Sequence, residues 1–195
     1  MLASAQFIVK NKLRKSLFEQ GQSLSDSFIT NSNLIIQSQA IENIDFKSII
    51  NNLLYFRYRY EVSVELIEKE INKYSNNIYM PRIISDKNMS FNLLDGSPLV
   101  KNKYGINEIN NDKYLDPLSF DCMFIPFVGV DSNGKRLGYG GGYFDSSLEI
   151  FKSTREKPLI VGLGYDYQVS DEVYGEEHDL KYDLVITEKR ILSFV

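Results

Sequence analysis

The chain has 195 residues, 43% of them hydrophobic and 25% charged, and a formal net charge of −4. This length suffices for one compact domain and is short for two, so a single domain over residues 1–195 is expected. The acidic balance excludes a general attraction to nucleic acid or to an anionic membrane, so a polyanionic ligand must meet a local basic cluster. The chain has a single cysteine, and neither a charged leader nor a long apolar span is expected from its sequence. These features indicate a soluble cytoplasmic protein.

The first forty residues predict two helices. Apolar residues recur at helical spacing from about Val9 to Glu42. Gly21 and Ser23 interrupt the pattern, and Ser25 offers an N-cap for the second helix. The break between the two predicted helices is therefore placed at these residues.

Strands and helices then alternate, which predicts an α/β fold with a largely parallel central sheet. Near-continuous apolar runs predict strands buried on both faces. The predicted strands are 49–58, 77–84, 89–94, 121–130, 158–164 and 182–187, and the predicted helices after the first two are 63–74 and 143–151.

Two segments predict irregular structure. Residues 95–119 show no sustained period and contain Gly96, Pro98 and Gly105, so they are predicted to form a long loop or covering flap. Residues 131–134 have the sequence Asp-Ser-Asn-Gly, which predicts a tight turn.

The glycine-rich run 136–145 is the main candidate for chemistry. Its glycines allow backbone N–H groups to approach phosphate oxygens, and a following helix would add the positive end of its dipole. Arg136 offers a planar fork for phosphate, and Asp145 can hold a magnesium ion. The run matches neither a Walker A loop nor a dinucleotide fingerprint, and a set of structural turns is the alternative.

Three further groups of residues are candidates for binding a ligand or a metal ion. Lys10 and Arg14 lie four residues apart and share a helix face, although a solvated amphipathic face is the alternative. Glu61 could accept hydrogen bonds from an amino-heterocycle, or could simply be an acid at a helix start. Asp179, in the acidic loop 176–179, could reach a metal at Asp145.

Two residues with reactive side chains are given ordinary roles. His178 could be a base or a ligand, but a structural histidine is the preferred interpretation. Cys122 lies in a predicted buried strand and is assigned to the core, not to nucleophilic chemistry.

Taken together and in their order along the chain, the candidate segments described above resemble those of the 5-formyltetrahydrofolate cyclo-ligase family, whose members are also called 5,10-methenyltetrahydrofolate synthetases. The resemblance covers nearly the whole chain and is strongest in Phe124-Ile125-Pro126 and in Arg-Leu-Gly-Tyr-Gly-Gly-Gly-Tyr-Phe-Asp at 136–145. Weaker matches are Lys10 to Arg14, Tyr60-Glu61, Met80-Pro81-Arg82, His178-Asp179 and residues 183–188.

The resemblance implies a three-layer α/β/α fold and the ATP- and magnesium-dependent closure of 5-formyltetrahydrofolate to 5,10-methenyltetrahydrofolate, with release of ADP and phosphate. In this chemistry the formyl oxygen is phosphorylated before a neighbouring folate nitrogen attacks the activated carbon. The enzyme supplies positioning and charge neutralisation, so no nucleophile on the protein is required. The partners would be two small molecules, with no nucleic acid or membrane, and a monomer is favoured.

The resemblance also implies residue roles, with Arg136 and Asp145 catalytic. Magnesium would be held by Asp145 and Asp179. ATP would be bound by Lys10, Asn11, Lys12, Leu13, Arg14, Arg136, Leu137, Gly138, Tyr139, Gly140, Gly141, Gly142, Tyr143 and Phe144, and the folate by Phe56, Glu61, Tyr139, Gly140, Gly141, Gly142 and Tyr143.

The sequence departs from the family pattern at Phe144, Ser146 and Phe127, and Phe127 is expected to narrow or reshape the neighbouring pocket. The alternatives are a non-catalytic folate or nucleotide binder of the same fold and a sugar-phosphate isomerase that consumes no ATP. An RNA-binding protein is disfavoured by the acidic charge.

Overall fold

A seven-stranded sheet forms the centre of the computed structural model, which describes residues 5–154 and 156–195. Its five inner strands are parallel, and an antiparallel strand lies at each edge. From edge to edge the strands are β11 (Ile191–Ser193), β10 (Leu184–Ile186), β9 (Leu159–Leu163), β6 (Cys122–Phe124), β1 (Asn51–Leu53), β2 (Asn77–Ser85) and β3 (Asn88–Leu93).

Helices cover the sheet, and the predicted break between the first two is confirmed. The Ser25 hydroxyl accepts a hydrogen bond from the backbone N–H of Phe28 at 3.2 Å and so caps the second helix. No helix among the described residues is long and apolar enough to cross a bilayer. The helices are α1 (Ala5–Gln22), α2 (Asp26–Asn43), α3 (Glu65–Asn72) and α4 (Tyr143–Ser147), with 3-10 turns at Pro117–Ser119, Glu149–Lys152 and Asp166–Gln168.

Alternate residues of the central strands enter two cores. Cys122 and Phe124 of β6 pack with the buried residues of α2 and α3, whereas Met123 between them packs with Leu148 on the opposite face. Because a strand directs successive side chains to opposite faces, one short strand supplies both cores. The predicted three-layer α/β/α fold is therefore confirmed, as is the assignment of Cys122 to the core.

Two predicted strands are too long. Within the central sheet, the run 49–58 is paired only over β1, and the run 121–130 only over β6. Past Phe124 the chain meets Pro126, which has no N–H to donate, and residues of β7 (Gly129–Val130) pair instead with β8 (Arg136–Leu137). The apolar run continues because these residues stay buried, not because they stay in the sheet.

In three other segments the structure differs from the prediction. The predicted loop 95–119 contains an antiparallel hairpin of β4 (Leu99–Lys101) and β5 (Asn107–Ile109), and the edge strand β11 was missed. The predicted helix 143–151 is a five-residue helix, α4, followed by a 3-10 turn. The predicted turn at 131–134 is confirmed, since Gly134 donates its N–H to the Asp131 carbonyl and has φ of 77°.

The order of the strands determines where a ligand can bind. From β1 the chain passes through α3 to β2 on one side, and from β6 it passes to β9 on the other side. The strand order thus reverses between β1 and β6, and the crevice at their carboxyl ends is the usual ligand site of such sheets. The segments that leave these two strands, 54–61 and 125–142, carry half of the predicted site residues.

Candidate active site

A cavity of about 340 Å³ opens at the carboxyl ends of β1 and β6. Its walls come from the segment after β1, the glycine run and the hairpin β4–β5. The residues that line it are Phe18, Tyr55, Phe56, Tyr58, Arg59, Glu61, Pro81, Ile83, Met89, Asn102, Tyr104, Ile106, Asn107, Glu108, Pro126, Arg136, Tyr139, Gly141, Gly142, Tyr143 and Phe144.

Glu61 is a buried carboxylate in this cavity, with only 6% of its surface exposed. Its Oε2 atom accepts a hydrogen bond from the backbone N–H of Tyr58 at 2.8 Å, and the Tyr139 side chain is a further hydrogen-bond partner. Burial raises the pKa of Glu61 to about 7, and it outweighs the opposing effects of these hydrogen bonds and of Arg136. The carboxylate can therefore accept N–H groups of a ligand, with a charge that changes near neutral pH.

Aromatic rings form the wall beside Glu61. The Tyr139 ring stacks on Phe18 with centroids 5.5 Å apart and meets the edge of Tyr58 at the same distance. The Arg59 guanidinium lies 5.0 Å from the centroid of Tyr58 and 5.5 Å from that of Phe18. A flat heterocycle would find both stacking surfaces and a carboxylate at this end of the cavity.

Arg136 is buried at the junction of the cavity and the glycine run. Its Nε atom donates to the Pro126 carbonyl at 2.9 Å, and an Nη atom lies 3.5 Å from Oδ2 of Asp145. The guanidinium also lies 5.2 Å from the centroid of Phe144. These contacts fix the cation in one orientation, as binding of a phosphoryl oxygen would require.

The glycines of the run serve different purposes. Gly140 and Gly142 have φ of 95° and 70°, which is the left-handed region that favours glycine. Gly138 is needed for space instead, because a Cβ at this position would overlap the Arg136 guanidinium.

We expect Gly138→Ala to destabilise the protein by about 1–3 kcal/mol, because the methyl group forces the buried Arg136 side chain to move. Thermal or urea unfolding measures this change. Arg136→Met serves as a second background, since a shorter and uncharged side chain relieves the overlap. If Gly138→Ala costs as much in the Arg136→Met protein as in the natural one, the overlap is not the cause.

The N-terminal helix brings its basic pair to the glycine run and to the acidic loop. Arg14 donates from Nε to the Gly138 carbonyl at 2.8 Å, and Lys10 donates from Nζ to Glu176 at 2.7 Å and to Asp179 at 2.5 Å. Burial lowers the pKa of Lys10, but the two carboxylates reverse this effect and the net shift is upward. Lys10 and Arg14 thus lie on one face of the helix, as predicted, but Lys10 is already paired with Glu176 and Asp179.

The other three residues of this segment are placed differently. Asn11 accepts a hydrogen bond from Nη1 of Arg14 at 2.7 Å. Lys12 is exposed, and Leu13 packs beside the buried Leu17. Only Asn11 of these three supports the basic pair directly.

The two aspartates predicted to hold magnesium lie in neighbouring segments. Asp145 accepts the backbone N–H of Leu180 at 3.1 Å, and the adjacent Asp179 accepts that of Glu176 at 2.7 Å. Of these two aspartates, only Asp179 belongs to the cluster of possible metal ligands found among the described residues, in which atoms of Glu176, His178 and Asp179 lie within 4.8 Å of one another. Magnesium prefers carboxylate oxygens as ligands, so the side chains of Asp145 and Asp179 are of the right chemical type to hold this ion.

Several expectations for individual side chains need correction. Helix α4 has only five residues, so the helix-dipole contribution proposed for the glycine run has little support. The Leu137 side chain is 1% exposed and belongs to the core. Phe127 packs against Gly164 and Tyr182 and does not line the large cavity, but it lines a small neighbouring pocket with Phe18, Glu61 and Tyr139. The side chain of His178 is 63% exposed, so it is not a buried structural histidine.

Sequence reasoning missed the residues that the hairpin contributes, above all Asn102, Tyr104 and Glu108. The signal in the sequence was weak: Leu99 and Val100 precede Gly105, and Ile106 and Ile109 follow it, and a glycine between two short segments of this kind is typical of a hairpin. Phe18, on α1, was also missed.

The fold and the site together define a class of α/β enzymes with a ligand cavity at a sheet switch point, and here Arg136 and the glycine run line that cavity. Residues 7–188 match the model of the 5-formyltetrahydrofolate cyclo-ligase family, and the chain belongs to that family.

Relatives and solved structures agree with this assignment. The 5-formyltetrahydrofolate cyclo-ligase of Mus musculus is 27% identical over 92% of this chain and 93% of its own length. That of Mycoplasma genitalium is 28% identical over 91% and 96%. The structure of Aquifex aeolicus 5,10-methenyltetrahydrofolate synthetase superposes with a TM-score of 0.82 at 26% identity, over 95% of this chain and 93% of that one.

Proposed function

We propose that this protein is an ATP-dependent cyclo-ligase that converts 5-formyltetrahydrofolate to 5,10-methenyltetrahydrofolate, with release of ADP and phosphate. The observation that carries the proposal is the cavity at the switch point, where Glu61 and the glycine run with Arg136 line one continuous space. One ligand can therefore contact the carboxylate while its reacting group faces the phosphate-binding residues. Membership of the cyclo-ligase family supports the same reaction.

Glu61 would bind the pterin end of the folate. The pterin presents N–H donors along one edge, and a buried carboxylate is a strong acceptor for them. Phe56 and the ring of Tyr139 would lie against the substrate, because both line the cavity. Gly141 and Gly142 would let the backbone approach the substrate closely, and Tyr143 would close the cavity at its other end.

The reaction would proceed by attack of the formyl oxygen on the terminal phosphorus of ATP, with ADP leaving. The N10 nitrogen then attacks the formyl carbon, the carbon–oxygen bond breaks with departure of phosphate, and N10 loses its proton. Arg136 would neutralise charge on the transferred phosphoryl group. No protein nucleophile takes part, which fits the burial of Cys122 and its raised pKa.

Arg14, Lys10 and the run from Arg136 to Phe144 would bind ATP. Arg14 already contacts the Gly138 carbonyl, so phosphates laid on the run would lie beside a guanidinium. Lys10 joins α1 to the acidic loop and would orient Asp179. Asp145 and Asp179 would hold magnesium, which when bound would neutralise phosphate charge and orient the nucleotide. Action as a cytoplasmic monomer is part of the same proposal.

The decisive experiment is to incubate the purified protein with 5-formyltetrahydrofolate, ATP and magnesium and to record the methenyl chromophore together with ADP. We expect one ADP for each methenyl product. Binding of both ligands without product would instead support the non-catalytic alternative. Failure to bind the folate would contradict the proposal altogether.

A further inference from the structure

Lys103, at the tip of the hairpin β4–β5, lies beside the end of the cavity that is lined by two tyrosines. Its ammonium nitrogen is 5.3 Å from the ring centroid of Tyr104 and 5.8 Å from that of Tyr143. The hydroxyls of these tyrosines are 3.3 Å apart, so the hairpin and the glycine run meet there. The acid nearest to Lys103 is Asp86 at 3.9 Å, and its side chain is 99% exposed, so this pair is weak and exchangeable.

The hairpin tip is held firmly in place. The side-chain oxygen of Asn102 accepts the backbone N–H groups of Tyr104 at 2.9 Å and of Ile106 at 3.2 Å. Glu108 anchors the hairpin, because its Oε1 accepts the backbone N–H of Ile83 and the amide of Asn102, both at 2.9 Å. Glu108 is thus already occupied by donors, and Lys103 is presented at a defined position.

The two ends of the cavity carry different charged groups: the carboxylate of Glu61 with the guanidinium of Arg59 at one end, and the ammonium of Lys103 beside the other. Along the glycine run, Tyr139 contacts Phe18 and Tyr58 beside Glu61, whereas Tyr143, four residues later, contacts the hairpin. The run therefore spans the cavity from a carboxylate at one end to an ammonium at the other. Apolar side chains that also line the cavity are Pro81, Ile83, Met89 and Ile106.

We propose that Lys103 is a specificity residue that binds a carboxylate of the glutamyl tail of the folate substrate. This inference rests on the function proposed above, with the pterin at Glu61. A folate has N–H donors at the pterin, a flat benzoyl ring in the middle and carboxylates at its far end. The carboxylate of Glu61, the apolar wall and the ammonium of Lys103 beside the far end of the cavity follow the same order, and the substrate carboxylate would replace the exposed partner Asp86.

The test compares 5-formyltetrahydrofolate with the simple amide of 5-formyltetrahydropteroic acid, which lacks the glutamate and carries no carboxylate at the benzoyl end. For Lys103→Met we expect KM to rise about fivefold with the glutamylated substrate, at unchanged kcat, and to stay constant with the tail-less one. Lys103→Arg, unlike Lys103→Met, keeps the positive charge, so its KM should equal that of the natural protein. Lys101→Met is the matched control, since Lys101 is exposed on the same hairpin, and it should change neither KM.

An equal change of KM for both substrates would overturn the proposal, because it would mean that Lys103 acts only through the hairpin fold. No change for either substrate would also overturn it. A tail-dependent loss in Arg59→Met but not in Lys103→Met would place the tail at the Glu61 end. If the natural protein makes no product, calorimetric dissociation constants of the two folates decide by the same criterion, so this failure is distinct from failure of the proposed reaction.

Discussion

Replacing Asp145 by asparagine is expected to lower the rate of methenyl formation at least about a hundredfold. Asparagine has the same size and keeps an oxygen for the backbone N–H of Leu180, which Asp145 now accepts at 3.1 Å. The change removes the negative charge that would hold magnesium and that faces the Arg136 guanidinium at 3.5 Å. The initial rate at saturating folate and ATP measures the effect.

Asp183→Asn is the matched control for this substitution. Asp183 also accepts a backbone N–H, that of Ile160 at 2.9 Å, and pairs with Lys157 at 2.6 Å, but these partners lie outside the glycine run, whereas Asp145 faces Arg136. We expect this variant to lose stability and to keep kcat. If Asp145→Asn retains a rate within threefold of the natural protein, Asp145 is not part of the reaction machinery.

Replacing Glu61 by glutamine is expected to weaken folate binding at pH 8 by about 10- to 100-fold, and to change the dissociation constant of ATP less than twofold. The amide offers a donor where the pterin also offers donors, so one charge-assisted hydrogen bond is lost and a clash of donors is introduced. Calorimetric titration with each ligand gives both values. Equal losses for folate and ATP would contradict a specific role at the pterin.

The pH profile provides a second measure of Glu61. With a pKa of about 7, the natural protein should lose kcat/KM for the folate as the pH falls through 7, because the carboxyl group becomes neutral. Glu61→Gln should give a lower and flat profile. Glu108→Gln is the control, since Glu108 lines the same cavity with the same 6% exposure but is already engaged by two donors. Its profile should follow that of the natural protein.

Glu61 should also destabilise the fold when it is charged. Its pKa is raised from 4.5 in the unfolded chain to about 7 in the native state, so between these values the native state binds more protons and stability falls as the pH rises. At pH 8 Glu61→Gln should therefore be more stable by up to about 3 kcal/mol, with no advantage below about pH 4.5. Urea unfolding at both pH values measures this. An unchanged difference would show that Glu61 is not buried as a charge.

The sequence by itself determined the fold class and the local chemistry. The alternation of apolar runs with helical periods predicted the α/β fold, because buried parallel strands must be apolar on both faces. Ser25 marked the start of α2, and the turn at 131–134 followed from its residue types, because both depend on neighbours in the chain. The glycine run and the four-residue spacing of Lys10 and Arg14 also follow from local geometry, and so they could be identified without a structure.

Only the tertiary structure decided where the strands end and which groups meet. Apolar character records burial and not pairing, so the apolar run 121–130 did not show where β6 ends, although Pro126, which has no N–H to donate, was a signal in the sequence. The position of Lys103 beside Tyr143, the overlap that excludes a side chain at Gly138 and the raised pKa of Glu61 all depend on contacts between distant segments. Burial, closeness of charges and the shape of a cavity are properties of packing, and packing arises only once the chain has folded.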